Sequence, residues 1–328
     1  MLPIKIVGLG HYLPARVVTS AALEAQLNLP EGWIERVTGV RARRYVESET
    51  SVGMAVAAAR HALASAACDL DAIDAIIGAS AAPQQAIPCT AAFIQRELGA
   101  PEGRSACYDI NATCMSFLVA LQHAAALIST GIYRTMLVCS SEISTHSLNY
   151  AEPTSSVLFG DAAAAAVVTR AAPGDVSALH FSKLATYSSG VDLTRLVGGG
   201  TLHHPNNPQT TPQMNTFQMN GRAVYKQAAQ LVGPFLEECF ATLGWAPEDV
   251  AVIAHQASGH ALDLLTERYG FRPAQIFSNL AERGNCIAAS LPLAFSEAVA
   301  QGFVQRGQRV LLIGTGAGLT IGAAGLVF

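Results

Sequence analysis

Cys114, His255 and Asn285 are the residues of this chain whose types and surroundings suit acyl-transfer chemistry. Cys114 lies in YDINATCMSFLVALQHAAALISTG, residues 108–131, between a strand end and a long uncharged run of good helix formers closed by Gly131. A thiol there meets the positive end of the helix dipole, which favours the thiolate and predicts a lowered pKa. A thiolate is the form that attacks a thioester and holds its acyl group as a covalent intermediate. His255 ends the apolar run VAVIAHQ, and Asn285 sits in the turn ERGNCIAASLP ahead of a helix. Taken singly, each has a plain alternative: a small core cysteine, a hydrogen-bonded core histidine, and an asparagine chosen for its tolerance of left-handed backbone. Taken together they stand where buried strands run out into turns, which is where α/β proteins gather their sites.

Strands alternating with helices must position these groups. IKIVGLG opens as a strand, Ser51–Ala67 is an alanine-rich helix, AIDAIIGAS a buried strand, and Thr90–Leu98 a helix. The Cys114 helix follows, then the strand TMLVCSSE and a turn feeding the strand in FGDAAAAAVVTR. After residues 172–175 the pattern restarts with a strand near Ala178–Thr186 and a polar loop, 190–216. The helix Arg222–Leu243, the strand VAVIAHQ, the helix Gly259–Tyr269, a helix near Ser290–Gln305 and the strand RVLLIG complete it. This order predicts a layered α/β protein of two duplicated halves, 1–172 and 173–328.

Composition narrows the function. Of 328 residues, 51% are hydrophobic and 13% charged, so the chain must bury a large core or an oligomer interface. No apolar stretch reaches the ~18 residues of a membrane span, and MLPIKIVGLGHYLP reads as a strand and turn rather than a signal peptide. A cytoplasmic location is the expectation. A net charge of −4 offers nothing to nucleic acid. The one basic cluster, Arg36, Arg41, Arg43 and Arg44, is either a solvated turn or a phosphate-contacting patch. Seven scattered cysteines without a CxxC pair argue against disulfides and zinc. His255 and His260, five apart, have the wrong spacing for two metal ligands on one helical face. His203 and His204 lie in a polar loop and read as solvated. GTGAG at 314–318 has no βαβ unit after it and is not a dinucleotide site.

The sequence resembles the thiolase superfamily, and within it the β-ketoacyl-acyl-carrier-protein synthase III group, along essentially its whole length. WIERVTGVRARR (33–44), NATCMSF, LFGDAAAAAVV, Gly198–Gly199–Gly200 with MNGRAVYKQAA (219–229), HQASGHA, RGNCIAASLP and GTGAGLTIG carry that likeness in order. The resemblance implies a homodimer of five-layered αβαβα subunits with Cys114, His255 and Asn285 as catalytic residues and no metal or resident cofactor. It implies that acyl-coenzyme A and a malonyl thioester are substrates, with an acyl carrier protein as a partner. Decarboxylation of the malonyl group would give an enolate held by His255 and Asn285, at roughly 3–4 kcal/mol per donor. Attack on the acyl-cysteine completes a Claisen condensation. The backbone amides of Cys114 and Ala317 are the implied oxyanion hole.

For substrate binding, the resemblance points to Trp33 and Arg36 at the nucleotide end of coenzyme A. Gly221, Tyr225 and Ala257 would line the pantetheine tunnel, and Ile87 would reach across the dimer to the partner's acyl pocket. Pro153 and His260 depart from the family, which places arginines there, so either the donor is not coenzyme A or carrier docking uses Arg222, Lys226 and Arg268 instead. Cys286 reads as a small turn residue and Glu142 as structural. Two other functions compete with condensation: acyl transfer from Cys114 to a hydroxyl or amine, and a non-catalytic partner subunit. A carboxylate in place of Asn285 would favour the former, and retention of all three catalytic residue types opposes the latter.

Overall fold

The computed structural model describes residues 1–328. Five strands, β1 (Ile4–Tyr12), β2 (Ala75–Ala79), β3 (Ala106–Ile110), β4 (Thr135–Glu142) and β5 (Ala162–Arg170), form one sheet in the order β1-β5-β4-β2-β3. A second sheet contains β6 (Ala178–Thr186), β7 (Ala251–Ala254), β8 (Ile276–Phe277), β9 (Arg309–Gly316) and β10 (Thr320–Val327), in the order β6-β10-β9-β7-β8. Directions repeat as well as order. In each sheet the first two pairings are antiparallel and the last two parallel.

Period-two patterning divides the apolar side chains among three layers. In β2 and β4, Ile77, Met136 and Val138 face one cluster while Ile76 and Leu137 face another. In β9, Val310 and Leu312 join the first of these clusters, whereas Leu311 and Ile313 face a third. The shared central cluster also takes Phe117, Leu118 and Leu121 of α3 (Ser116–Ser129) and Leu291, Ala294 and Phe295 of α6 (Ser290–Ala300). The outer helices are α1 (Ser51–Ala66) and α2 (Thr90–Leu98) on one side, and α4 (Gly221–Leu243) and α5 (Gly259–Glu267) on the other. The layers therefore stack as αβαβα.

Alanine is a poor strand former, yet Ala162–Ala166 of β5 is fully buried. Small side chains let helices pack closely on both faces. The same closeness demands glycine at position 10 of β1, where a Cβ would collide with backbone atoms of Ala58 and Ala62 in α1. Gly10→Ala should therefore destabilise the fold by about 1–3 kcal/mol, read as a lower denaturant midpoint. An unchanged midpoint would show that α1 yields freely.

The sequence reading overextends some elements and misses others. The helix begun at Ser290 ends at Ala300 rather than near Gln305, and α5 ends at Glu267 rather than Tyr269. TIGAAGLV, read only as a glycine motif, is the full strand β10. Its glycines hide it: a Cβ on Gly325 would meet the Leu243 side chain of α4. WIERVT forms a short helix, Trp33–Thr38, and residues 16–19 pair with 42–45 as a hairpin.

Candidate active site

Cys114 follows β3 and precedes α3, which begins at Ser116. Local hydrogen bonds shape the link. Asn111 Oδ1 accepts from the Thr113 N–H at 2.9 Å, and Ser116 Oγ accepts from the Ala112 N–H at 3.0 Å while donating to the Thr113 carbonyl at 2.6 Å. Thr113 is held at φ +53°, a left-handed conformation that a β-branched residue adopts only under constraint. The turn brings the Cys114 sulfur against two backbone N–H groups, its own and that of Ala317.

The electrostatics correct the sequence expectation of a lowered thiol pKa. Burial pushes Cys114 up to about 12, the buried Glu142 nearby adds to the rise, and the two amides oppose it. Loss of water outweighs helix-tip polarisation, so the resting Cys114 side chain is a neutral thiol.

His255 comes directly after β7, and its N–H donates to the Ile313 carbonyl of β9 at 2.8 Å. Burial pushes its pKa down to about 4, so the ring is neutral at physiological pH, and Nδ1 has no protein partner. Sequence reasoning passed over its neighbour Gln256, which is completely buried. Gln256 Oε1 accepts from the Asn279 and Leu280 N–H groups at 3.2 and 3.1 Å and from Ser278 Oγ at 3.1 Å, pinning the strand end that carries His255. An amide next to a strand-end histidine was the only available signal. Gly314 was missed as well. A Cβ there would lie 2.6 Å from both His255 Cβ and Met115 Cε, so the absence of a side chain lets the His255 and Cys114 segments meet.

Asn285 stands between β8 and α6, the same place in the second half that Cys114 occupies in the first. Its backbone bonds to the Leu158 carbonyl and the Gly160 N–H, both at 3.0 Å. Oδ1 accepts from the Ile287 N–H at 2.9 Å, which fixes the carboxamide and directs Nδ2 toward the Ala257 carbonyl at 3.3 Å. The Ala257 N–H in turn donates to the His255 carbonyl at 2.9 Å. Short contacts through Ala257 thus join Asn285 to His255. The second Nδ2 hydrogen has no protein acceptor.

A cavity of about 60 Å³ adjoins His255 between α4 and α5, lined mainly by small and aliphatic side chains such as Ala228, Val232, Ala257, Ala261 and Leu265. Gly221 and Tyr225 stand one to two turns earlier in α4, with Tyr225 41% exposed. Trp33 and Arg36 lie one turn apart on their short helix, half-buried and exposed respectively. Ile87 is 83% exposed.

The basic cluster is not one patch. Arg43 is fully buried and donates to Ser20 Oγ and the Val157 carbonyl, Arg44 donates to the Ala15 carbonyl, and Arg41 pairs with Glu282 at 2.8 Å. Arg36 alone of the four projects without such a partner. His203, read as solvated, is half-buried, whereas His204 is exposed. Cys286 is a core residue packed with Ala162, Ala164 and Leu293.

The comparisons with known proteins agree with this geometry. Residues 108–187 match the family model 3-oxoacyl-[acyl-carrier-protein (ACP)] synthase III, and residues 240–328 match its C-terminal companion. The chain is 37% identical over 326 residues to β-ketoacyl-[acyl-carrier-protein] synthase III 3 of Streptomyces coelicolor, covering 98% of this chain and 96% of that protein. It is 38% identical over 325 residues to β-ketoacyl-[acyl-carrier-protein] synthase III of Rhodospirillum rubrum, covering 97% of each. The crystal structure of 3-oxoacyl-[acyl-carrier-protein] synthase III from Aquifex aeolicus superposes with a TM-score of 0.89 at 33% identity, over 99% of this chain and all of that one. Shared fold, shared motifs and near-complete coverage place the chain in the β-ketoacyl-acyl-carrier-protein synthase III family of the thiolase superfamily.

Proposed function

We propose that this enzyme transfers an acyl group from a thioester to Cys114 and condenses it with a malonyl thioester, releasing carbon dioxide and a β-ketoacyl product. The observation that carries the reading is the Cys114 sulfur facing the N–H groups of Cys114 and Ala317. That pair is the arrangement a tetrahedral oxyanion at the acyl carbon requires. In the first half-reaction the sulfur attacks the acyl carbonyl, and the thiol proton leaves with the departing coenzyme A or carrier thiol. In the second, neutral His255 and the free Nδ2 hydrogen of Asn285 donate to the malonyl thioester oxygen. The carbon–carbon bond to carbon dioxide breaks and its electrons form the enolate. The enolate carbon attacks acyl-Cys114, the carbon–sulfur bond breaks, and the departing Cys114 thiolate takes a proton from solvent. Acyl transfer to a hydroxyl or amine would call for a base at the acceptor, and the site presents the carboxamide of Asn285 there instead.

The remaining assignments rest on placement. Trp33 and Arg36 suit an adenine face and a phosphate, Gly221, Tyr225 and Ala257 suit the pantetheine arm, and the exposed Arg222, Lys226 and Arg268 suit an acidic carrier. The half-buried edge strand β3 and the exposed Ile87 support a homodimer in which Ile87 enters the partner's acyl pocket. The equal strand orders support a duplication with halves 1–172 and 173–328. No helix is long and apolar enough to cross a membrane, and a cytoplasmic location accords with the thioester substrates.

The test is incubation with labelled acyl-coenzyme A, mass spectrometry of the Cys114 peptide, then addition of malonyl-coenzyme A or malonyl carrier protein. Acyl-Cys114 followed by carbon dioxide release and a β-keto product is expected. Acylation with no response to either malonyl donor would sink the condensation.

A further inference from the structure

Glu142 takes no part in the chemistry above, yet it is built into the site. It ends β4 and is 1% exposed. Its Oε1 accepts from the Ala81 N–H at 2.6 Å, and the carbonyl of the same Ala81 accepts from Asn111 Nδ2 at 2.8 Å. Asn111 in turn sets the Thr113 turn, so one residue, Ala81, connects this carboxyl to the loop that carries Cys114. On its other side lies Ala288, in the turn that follows Asn285. Although the Ala82 and Ala288 amides are close, Oε2 completes no hydrogen bond.

A buried carboxylate with an unpartnered oxygen is costly unless it carries a proton. The titratable groups that face Glu142 are Cys114, Cys286 and Asp161, and none can be a cation. Asp161 is itself buried, occupied by the Val46, Ser144 and Thr145 N–H groups. No positive charge compensates the carboxyl.

We propose that Glu142 is a positioning residue that serves the reaction as an uncharged acid, holding its proton while Cys114 reacts so that the carboxyl and the thiol are never charged together. Releasing that proton to solvent turns the site against thiolate formation. Burial raises the carboxyl to about 8, with Asp161 adding to the shift, and the Glu142 charge in turn raises the Cys114 thiol. Near neutral pH Glu142 is thus mostly protonated, and alkaline pH charges it.

The inference rests on Cys114 as the reactive thiol, and its test reads that thiol without any substrate. Alkylation of Cys114 by iodoacetamide is followed by mass spectrometry from pH 6 to 10 in the full chain and in Glu142→Gln, alongside acylation by acyl-coenzyme A. Glutamine imitates the protonated acid at every pH. At pH 9 its Cys114 should alkylate about tenfold faster than the wild type, and an alkaline loss of acylation setting in near pH 8 in the wild type should vanish. Superimposable profiles would overturn the coupling, even with acylation intact. So would a folded variant that is never acylated, because the carboxyl would then be a proton acceptor. Absence of acyl-Cys114 in the wild type would instead refute the functional reading. The wild-type chain supplies a check that needs no substitution: infrared spectra should show a protonated buried carboxyl at pH 7 that disappears above about pH 8. Its absence at pH 7 would overturn the proposal.

Discussion

Cys114→Ala should form no acyl-enzyme with any acyl donor, lowering condensation by at least about a thousandfold, while still releasing carbon dioxide from a malonyl thioester. The first half follows from chemistry, since alanine has no atom that can take the acyl group. The second follows from placement. His255 is held by the Ile313 carbonyl and Gln256, and Asn285 by Leu158, Gly160 and Ile287, so neither donor depends on the Cys114 side chain. The enolate left without an acyl-cysteine takes a proton and leaves as an acetyl thioester. Mass spectrometry of the intact variant and carbon dioxide release from labelled malonyl-coenzyme A give the two readings. An acylated variant would show that another residue, such as Cys286, takes the acyl group. Loss of decarboxylation together with acylation would show that the sulfur helps bind the malonyl group.

Of the three proposed site residues, His255 stands out in the sequence because it ends a strongly patterned strand, whereas Cys114 is marked by the helix it precedes and Asn285 only by its turn. Apolar runs such as VAVIA and TMLVC are fixed by burial on both faces of a strand, and the polar residue where such a run stops is conspicuous. What the site does to those residues was not legible. The helix-tip argument for Cys114 is sound locally, but the thiol meets Glu142 and Ala317, far from it in sequence, and burial among such segments reverses its sign. Arg43 shows the same limit. Its neighbours in sequence are basic, so it reads as part of a patch, yet the hairpin 16–19/42–45 turns it inward to the Val157 carbonyl. β10 was lost for a third reason. Glycine and alanine carry little strand signal, and Gly325 is explained only by its packing under Leu243 of α4.

Burial of His255 leads to the second large effect. His255→Ala and Asn285→Ala should each slow malonyl decarboxylation by about a hundred- to a thousandfold, the typical cost of one donor to a developing oxyanion. Acylation of Cys114 should change far less, since its oxyanion faces the Cys114 and Ala317 amides instead. The pH dependence separates the donor from a proton-transferring base. With its pKa pushed down to about 4, folded His255 stays neutral from neutral pH to well below pH 6 and donates one ring N–H throughout. The unfolded chain, with an ordinary histidine, takes up the proton first, near pH 6.5. Stability linked to this group is therefore full above about pH 6.5 and is lost as pH falls from there toward 4. Acid inactivation in that window should track unfolding, followed by circular dichroism, and His255→Ala should lose less stability across it than the wild type. A decarboxylation rate that falls near pH 6.5 while the fold stays intact would mean that His255 titrates normally, and that the dry, neutral-donor picture of the site is wrong.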